Sequence, residues 1–119
     1  MDDIYTIIRE VLRPLGITRN YRGYHQLIQA VALVLEDEIR LTDVEKQVYA
    51  VVAKQTHSKP ENVERNLRTA ISCAWRTNPP LLEQMAKFQM LAPPSASRFL
   101  DIIATYILRD LLDSPYVKR

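Results

Sequence analysis

Apolar residues recur along this chain at offsets of three and four, the spacing that gathers them on one face of an α-helix. The first stripe is Ile4, Ile7, Ile8, Val11, Leu12 and Leu15, which predicts a helix over 3–14 punctuated by Pro14 and Gly16. Tyr24, Leu27, Ile28, Val31, Val34 and Leu35 predict a second over 24–36. Thr42 and Glu45 are spaced as a capping box ahead of Val44, Val48, Val51 and Val52, so a third helix is predicted to open at Thr42. Ser58 and Glu61 form another such pair, with Pro60 in the first turn where a missing N–H costs nothing. That fourth helix is predicted to run to about Arg76. Asn78-Pro79-Pro80 closes it and caps a fifth over 79–91. Ala92-Pro93-Pro94-Ser95 breaks the chain again before a last helix bearing Phe99, Ile102, Ile103, Tyr106, Ile107 and Leu111. A short strand competes only in the valine-rich stretch 48–52, where the capping pair and the continuation to Lys54 favour helix. The pattern therefore predicts an all-α fold, a six-helix bundle in one domain over 1–119, with a helix-turn-helix at about 42–76.

Composition narrows the function classes. A chain of 119 residues fits one domain. An apolar content of 47% builds a core without disulfide or metal staples. Two glycines disfavour a β-rich fold and a phosphate-cradling loop. Cys73 is the only cysteine, which excludes an internal disulfide and fits a reducing compartment. The longest apolar run, Ala30 to Leu35, is far short of the ~20 residues of a membrane helix. Asp2 and Asp3 put negative charge where a signal peptide carries positive charge, and they suit the first helix's dipole. A cytoplasmic protein with no membrane partner is expected.

The net charge of +2 hides an uneven distribution. Residues 1–53 hold six basic and eight acidic side chains, whereas residues 54–76 hold five and two. The positive excess thus lies on the helix-turn-helix. On a helical wheel with Val63 at zero, Leu67, Ala70, Ile71 and Ala74 fall within roughly 80°, while Glu61, Arg65, Arg68, Thr69, Ser72 and Arg76 occupy an arc from roughly 140° to 240°. Guanidinium groups with neutral hydrogen-bonding neighbours are what a major-groove helix needs, since Arg pairs with guanine O6 and N7 and Asn, Thr or Ser reach base edges or phosphates. The pattern alone equally describes any amphipathic helix.

The same stretch resembles the C-terminal DNA-binding effector domain of the stage-zero sporulation protein A family. The matching segments are Leu12-Arg13-Pro14-Leu15-Gly16-Ile17, Gly23-Tyr24 with Leu27 and Ala30, Ala53-Lys54, and Pro60 to Trp75. Within the last stand Val63-Glu64-Arg65, Leu67-Arg68, Ala70-Ile71 and Ala74-Trp75, a string that a generic helix-turn-helix does not reproduce. Weaker echoes lie at Pro94, Ser97 and Phe99-Leu100, so the likeness covers about residues 4–109.

The resemblance implies a recognition helix at 60–75, promoter DNA bound at short boxes often paired head to tail, and contact with an RNA polymerase sigma factor. It places Glu64, Arg65 and Arg68 toward bases and backbone, and the wheel adds Thr69 to the base-contacting set. Lys54, Ser58, Lys59, Asn62 and Arg76 are the expected phosphate contacts. Asn62 stands where the family has arginine, and Asn66 replaces a small apolar residue at the edge of the packed face. The family's phosphoreceiver is not represented, so the expected function is a sequence-specific transcription regulator acting as a stand-alone effector.

Other readings stay open. Glu64 is placed as well for an intrahelical pair with Arg68 as for base contact. The acidic run Glu36, Asp37 and Glu38 reads as a solvated loop or as a contact for a basic partner. A second function class is an interaction module that pairs with a sporulation regulator or sigma factor without reading DNA. A homodimer through Tyr106, Leu108 and Leu112 is a third. His25 and His57 lack the companions of a zinc site, Cys73 reads as a packing residue, Trp75 reads as core, and no catalytic set is defensible. No enzyme activity, cofactor or metal is expected.

Overall fold

The computed structural model describes residues 3–112, and Asp2 lies outside them. Helix α1 spans Ile4–Leu12. It opens where Asp3 Oδ1 accepts the Thr6 amide at 2.8 Å, and that bond holds the Asp3 carboxyl below the usual carboxylate range. Its end comes earlier than the apolar stripe suggested, because Arg13–Leu15 tightens into a 3-10 turn around Pro14 and Gly16 takes a left-handed φ of 84°. α2 spans Tyr24–Glu36, α3 Ala50–Gln55, α4 Pro60–Thr77, α5 Pro79–Ala86 and α6 Ala96–Tyr106. The fold is therefore all-helical, as the spacing predicted, and no strand occurs among the described residues.

α2 lies at the centre and packs against α1, α4 and α6. Its inner side chains Leu27, Val31 and Val34 join Leu12, Leu67, Leu82, Phe99 and Ile103 in one continuous core. Burial of this apolar set is the main force holding the helices together, since each short helix is marginal alone. The valine-rich stretch is helical: Val48 and Val52 are fully buried one turn apart.

Two predicted boundaries move for identifiable reasons. Thr42 does not cap a helix. Its hydroxyl donates backwards to the Ile39 carbonyl at 2.8 Å, inside a 3-10 segment Glu38–Asp43 that Asp37 starts by accepting the Ile39 amide. A π-type turn at Glu45–Tyr49 then leads into α3. α5 stops at Ala86 and does not reach residue 91. Lys87 is left-handed at φ 69°, and Glu83 Oε2 accepts the Met90 amide at 2.7 Å, which folds the following chain back across the helix end. Arg109 from beyond α6 donates to the Met85 carbonyl at 3.1 Å and satisfies part of that terminus. α6 passes into a second π-type turn at Ile107–Leu111.

The acidic run has intrachain partners. Glu36 pairs with Arg40 at 3.7 Å and Asp37 is the cap just described, while Glu38 is exposed.

Candidate nucleic-acid interface

The turn between α3 and α4 is set by backbone hydrogen bonds. His57 is left-handed at φ 56°, and the Ser58 amide donates back to the Ala53 carbonyl at 2.8 Å. The Thr56 amide and hydroxyl both donate to the Val52 carbonyl, at 2.9 and 2.8 Å. This is the Schellman closure of a helix, with histidine at the position that glycine usually fills. Ala53 is buried where the two helices approach, so a larger side chain there would push them apart. The predicted Ser58–Glu61 capping box does not form. Lys59 is the N-cap residue, with Pro60 at the first helical position and no side-chain cap. The Ser58 amide is committed to α3, which places Ser58 one residue too early to cap α4.

α4 is anchored by Val63, Leu67, Ala70, Ile71 and Ala74, all buried. The same rotation exposes Glu61, Arg65, Arg68, Thr69, Ser72 and Arg76. Lys54 and Lys59 are exposed at either side of the turn, while Ser58, Asn62 and Glu64 are half-buried. Arg68 and Glu64 stand 3.9 Å apart, with the Arg68 side chain largely in solvent and that of Glu64 about half exposed. Such a long, exposed pair is weak, so Arg68 remains free to reorient. The Thr69 hydroxyl donates to the Arg65 carbonyl at 3.1 Å and Arg76 Nε to the Ser72 carbonyl at 3.3 Å. The Thr69 hydroxyl keeps its acceptor lone pairs, while the Arg76 guanidinium also meets the Tyr21 phenol.

Two depressions flank the exposed ridge of α4. On one side a cleft of about 630 Å³ brings Ser58, Asn62 and Arg65 together with the chain segment 21–26. On the other side a groove of about 320 Å³ joins Glu64, Arg68 and Ser72 to the Pro93–Ala96 connection. Lys54, Lys59, Thr69 and Arg76 line neither.

Segment 21–26 was not legible as part of a site. Its clearest trace in the sequence is Arg19, Arg22 and His25 in a stretch without a carboxylate, masked by the acidic total of residues 1–53. Asn66, which replaces a small apolar residue at the edge of the packed face, has a partner. Its Nδ2 donates to Gln26 Oε1 at 2.7 Å, and Gln26 Nε2 donates to Thr56 Oγ1 at 3.0 Å. This relay ties α4, α2 and the turn together. Gly23 makes the close approach possible, with a φ of 82°, and a Cβ there would lie 2.4 Å from that of Asn66. Farther along, Cys73 is buried with its Sγ 3.3 Å from the Gly16 carbonyl. The Tyr21 phenol is raised above its ordinary value, first by its hydrogen bond with Cys73 and then by desolvation. Trp75 is half-buried against the core at the end of α4.

Among the described residues, no group of three His, Cys, Asp or Glu side chains converges as a metal would require. No described helix is long and apolar enough to cross a membrane. A family model described as the C terminal of the sporulation initiation factor Spo0A matches residues 8–107, from within α1 to just past α6. The chain belongs to that family, which is one of DNA-binding regulatory domains in sporulation and transcription control.

Proposed function

We propose that this member of the sporulation effector family reads duplex DNA in a sequence-specific way through α4. The domain over 1–119 acts as the DNA-reading unit by itself, in the cytoplasm, as a transcription regulator. The carrying observation is the ridge on which Arg65, Arg68 and Thr69 stand clear of the core on a helix fixed by six buried side chains. A packed scaffold with exposed guanidinium tips suits a helix that must fit a major groove and then choose bases. Arg65, Arg68, Thr69 and the flanking Glu64 are the proposed base-contacting set. Lys54, Ser58, Lys59, Asn62 and Arg76 contact phosphates on either side. No step of this reading requires catalysis or a cofactor.

The test is selection of bound sequences from random duplex DNA, followed by affinity measurements across salt concentrations. A consensus site is expected, with affinity that falls steeply as salt rises because phosphate contacts release counterions. Arg68→Ala or Arg65→Ala is expected to cost ~1–3 kcal/mol and to relax discrimination at one base pair. No enrichment at ~50 mM salt, where even non-specific binding is strengthened, refutes the reading.

A protein contact is favoured by a separate surface. Phe88 and Leu91 are exposed after α5, with the Arg98 guanidinium 4.9 Å over the Phe88 ring. The sigma factor that the family resemblance implies is the partner proposed for it. If this role replaces DNA reading, pull-down succeeds while duplex binding is absent. Self-association through Tyr106, Leu108 and Leu112 predicts a sedimentation coefficient that rises with concentration.

A further inference from the structure

The cleft between segment 21–26 and the α3–α4 turn has a composition that the ridge of α4 does not explain. Its charged lining groups are Arg22 and Arg65, joined by the imidazoles of His25 and His57, and none of its lining residues is acidic. No ion pair among the described residues engages either arginine.

Three independent features point to the same ligand chemistry. First, α2 begins at the cleft with Gly23 as its N-cap, which brings no side chain to the first turn, where the Tyr24 amide already donates to the Tyr21 carbonyl at 3.1 Å and the His25 and Gln26 amides follow. Those amides add partial positive charge to the same space. Second, His57 holds a left-handed backbone that glycine would adopt without strain. The side chain at this strained position lines the cleft, so its imidazole is presented to whatever the cleft holds. Third, the Asn66–Gln26–Thr56 relay occupies polar groups beneath the cleft with one another, so its floor is fixed in advance.

We infer that this cleft seats one backbone phosphate of the bound duplex, held by Arg22, His25 and His57 beside the recognition helix. The inference rests on the DNA-binding reading above and assigns residues that reading does not contain. The cleft lies on the flank of α4 that bears Asn62 and Asn66, and Arg65 belongs to both the cleft and the ridge. A duplex that receives α4 in its major groove therefore runs one strand's backbone along this flank. The contact fixes register and strength and carries no sequence information.

Arg22→Ala and His57→Gly in the full chain test it. Arg22→Ala is expected to weaken the selected duplex and a scrambled duplex by a similar factor, roughly five- to tenfold, and to lower the salt slope by about one. His57→Gly is expected to raise Tm by removing backbone strain while it lowers DNA affinity. A purely structural role for His57 would move both in the same direction. Parent-like affinity and salt slope in both variants overturn the inference while leaving DNA reading by α4 intact. If the parent binds no duplex, the DNA reading fails and inorganic phosphate becomes the probe, followed through the ring resonances of His25 and His57. Saturable shifts that Arg22→Ala abolishes then keep a phosphate seat for a free ligand, and the absence of saturation overturns it.

Discussion

Replacing Gly23 with alanine tests how closely the start of α2 must approach the recognition helix. The first cost is conformational, since φ is 82° and a Cβ in the left-handed region is unfavourable by roughly 1–2 kcal/mol. The second is contact. The new Cβ would stand 2.4 Å from Asn66 Cβ, 2.7 Å from its Cγ and 2.8 Å from its Nδ2. Carbon atoms at rest lie ~3.5–4.0 Å apart, so one element must retreat, and overpacking of this kind costs about 1–3 kcal/mol. Gly23→Ala is therefore expected to destabilise by about 2–5 kcal/mol, which lowers Tm by at least about 8 °C. Asn66→Gly alone loses the bond to Gln26, about 0.5–1.5 kcal/mol, and a further ~0.3 kcal/mol of helix propensity. In the double variant the contact cost vanishes because no Asn66 Cβ remains. Urea unfolding of the four proteins should then show a favourable coupling of about 1–3 kcal/mol. Additivity within about 0.5 kcal/mol, or a Gly23→Ala variant as stable as the parent, refutes this account of the interface.

Three further outcomes follow from individual residues. Leu67 is fully buried, so Leu67→Ala is expected to cost about 2–5 kcal/mol in chemical unfolding, and a loss below 1 kcal/mol contradicts the assigned seating of α4. The Tyr49 phenol is pushed up to about 12 by burial, with the charges of Glu64 and Glu45 adding to it. The unfolded phenol ionises near its ordinary value of about 10, so stability is whole below pH 10 and falls toward pH 12 by up to about 1.4 kcal/mol per pH unit. Tyr49→Phe should flatten that slope, and an unchanged alkaline profile would exclude Tyr49 as its source. Glu64→Gln breaks only the exposed 3.9 Å pair with Arg68, so a stability change within about 0.5 kcal/mol is expected in thermal melts; a larger loss would mean that the pair is structural.

Periodicity located the helices well because each is amphipathic and buries one face in a shared core. It failed at ends where two local signals competed. Thr42 and Ser58 have the spacing of capping residues, yet Asp37 starts the segment before α3, and the Ser58 amide is claimed by Ala53. The end of α5 depends on Glu83 reaching Met90, a side-chain contact that no apolar stripe records. His57 takes the left-handed geometry because a tight turn between two helices leaves few alternatives.

At the interface, the polar ridge was legible from residue spacing. Helical geometry places Arg65, Arg68, Thr69, Ser72 and Arg76 opposite Val63 and Leu67 wherever that helix is set down. The tertiary structure alone decided what stands beside the ridge. Segment 21–26 is some 40 residues away along the chain, and only the packing of α2 against α4 brings Arg22, His25 and Gln26 to the turn. Local periodicity carries information over one or two turns of helix, whereas a cleft between distant segments exists only once the core has closed and the Gly23–Asn66 approach is made.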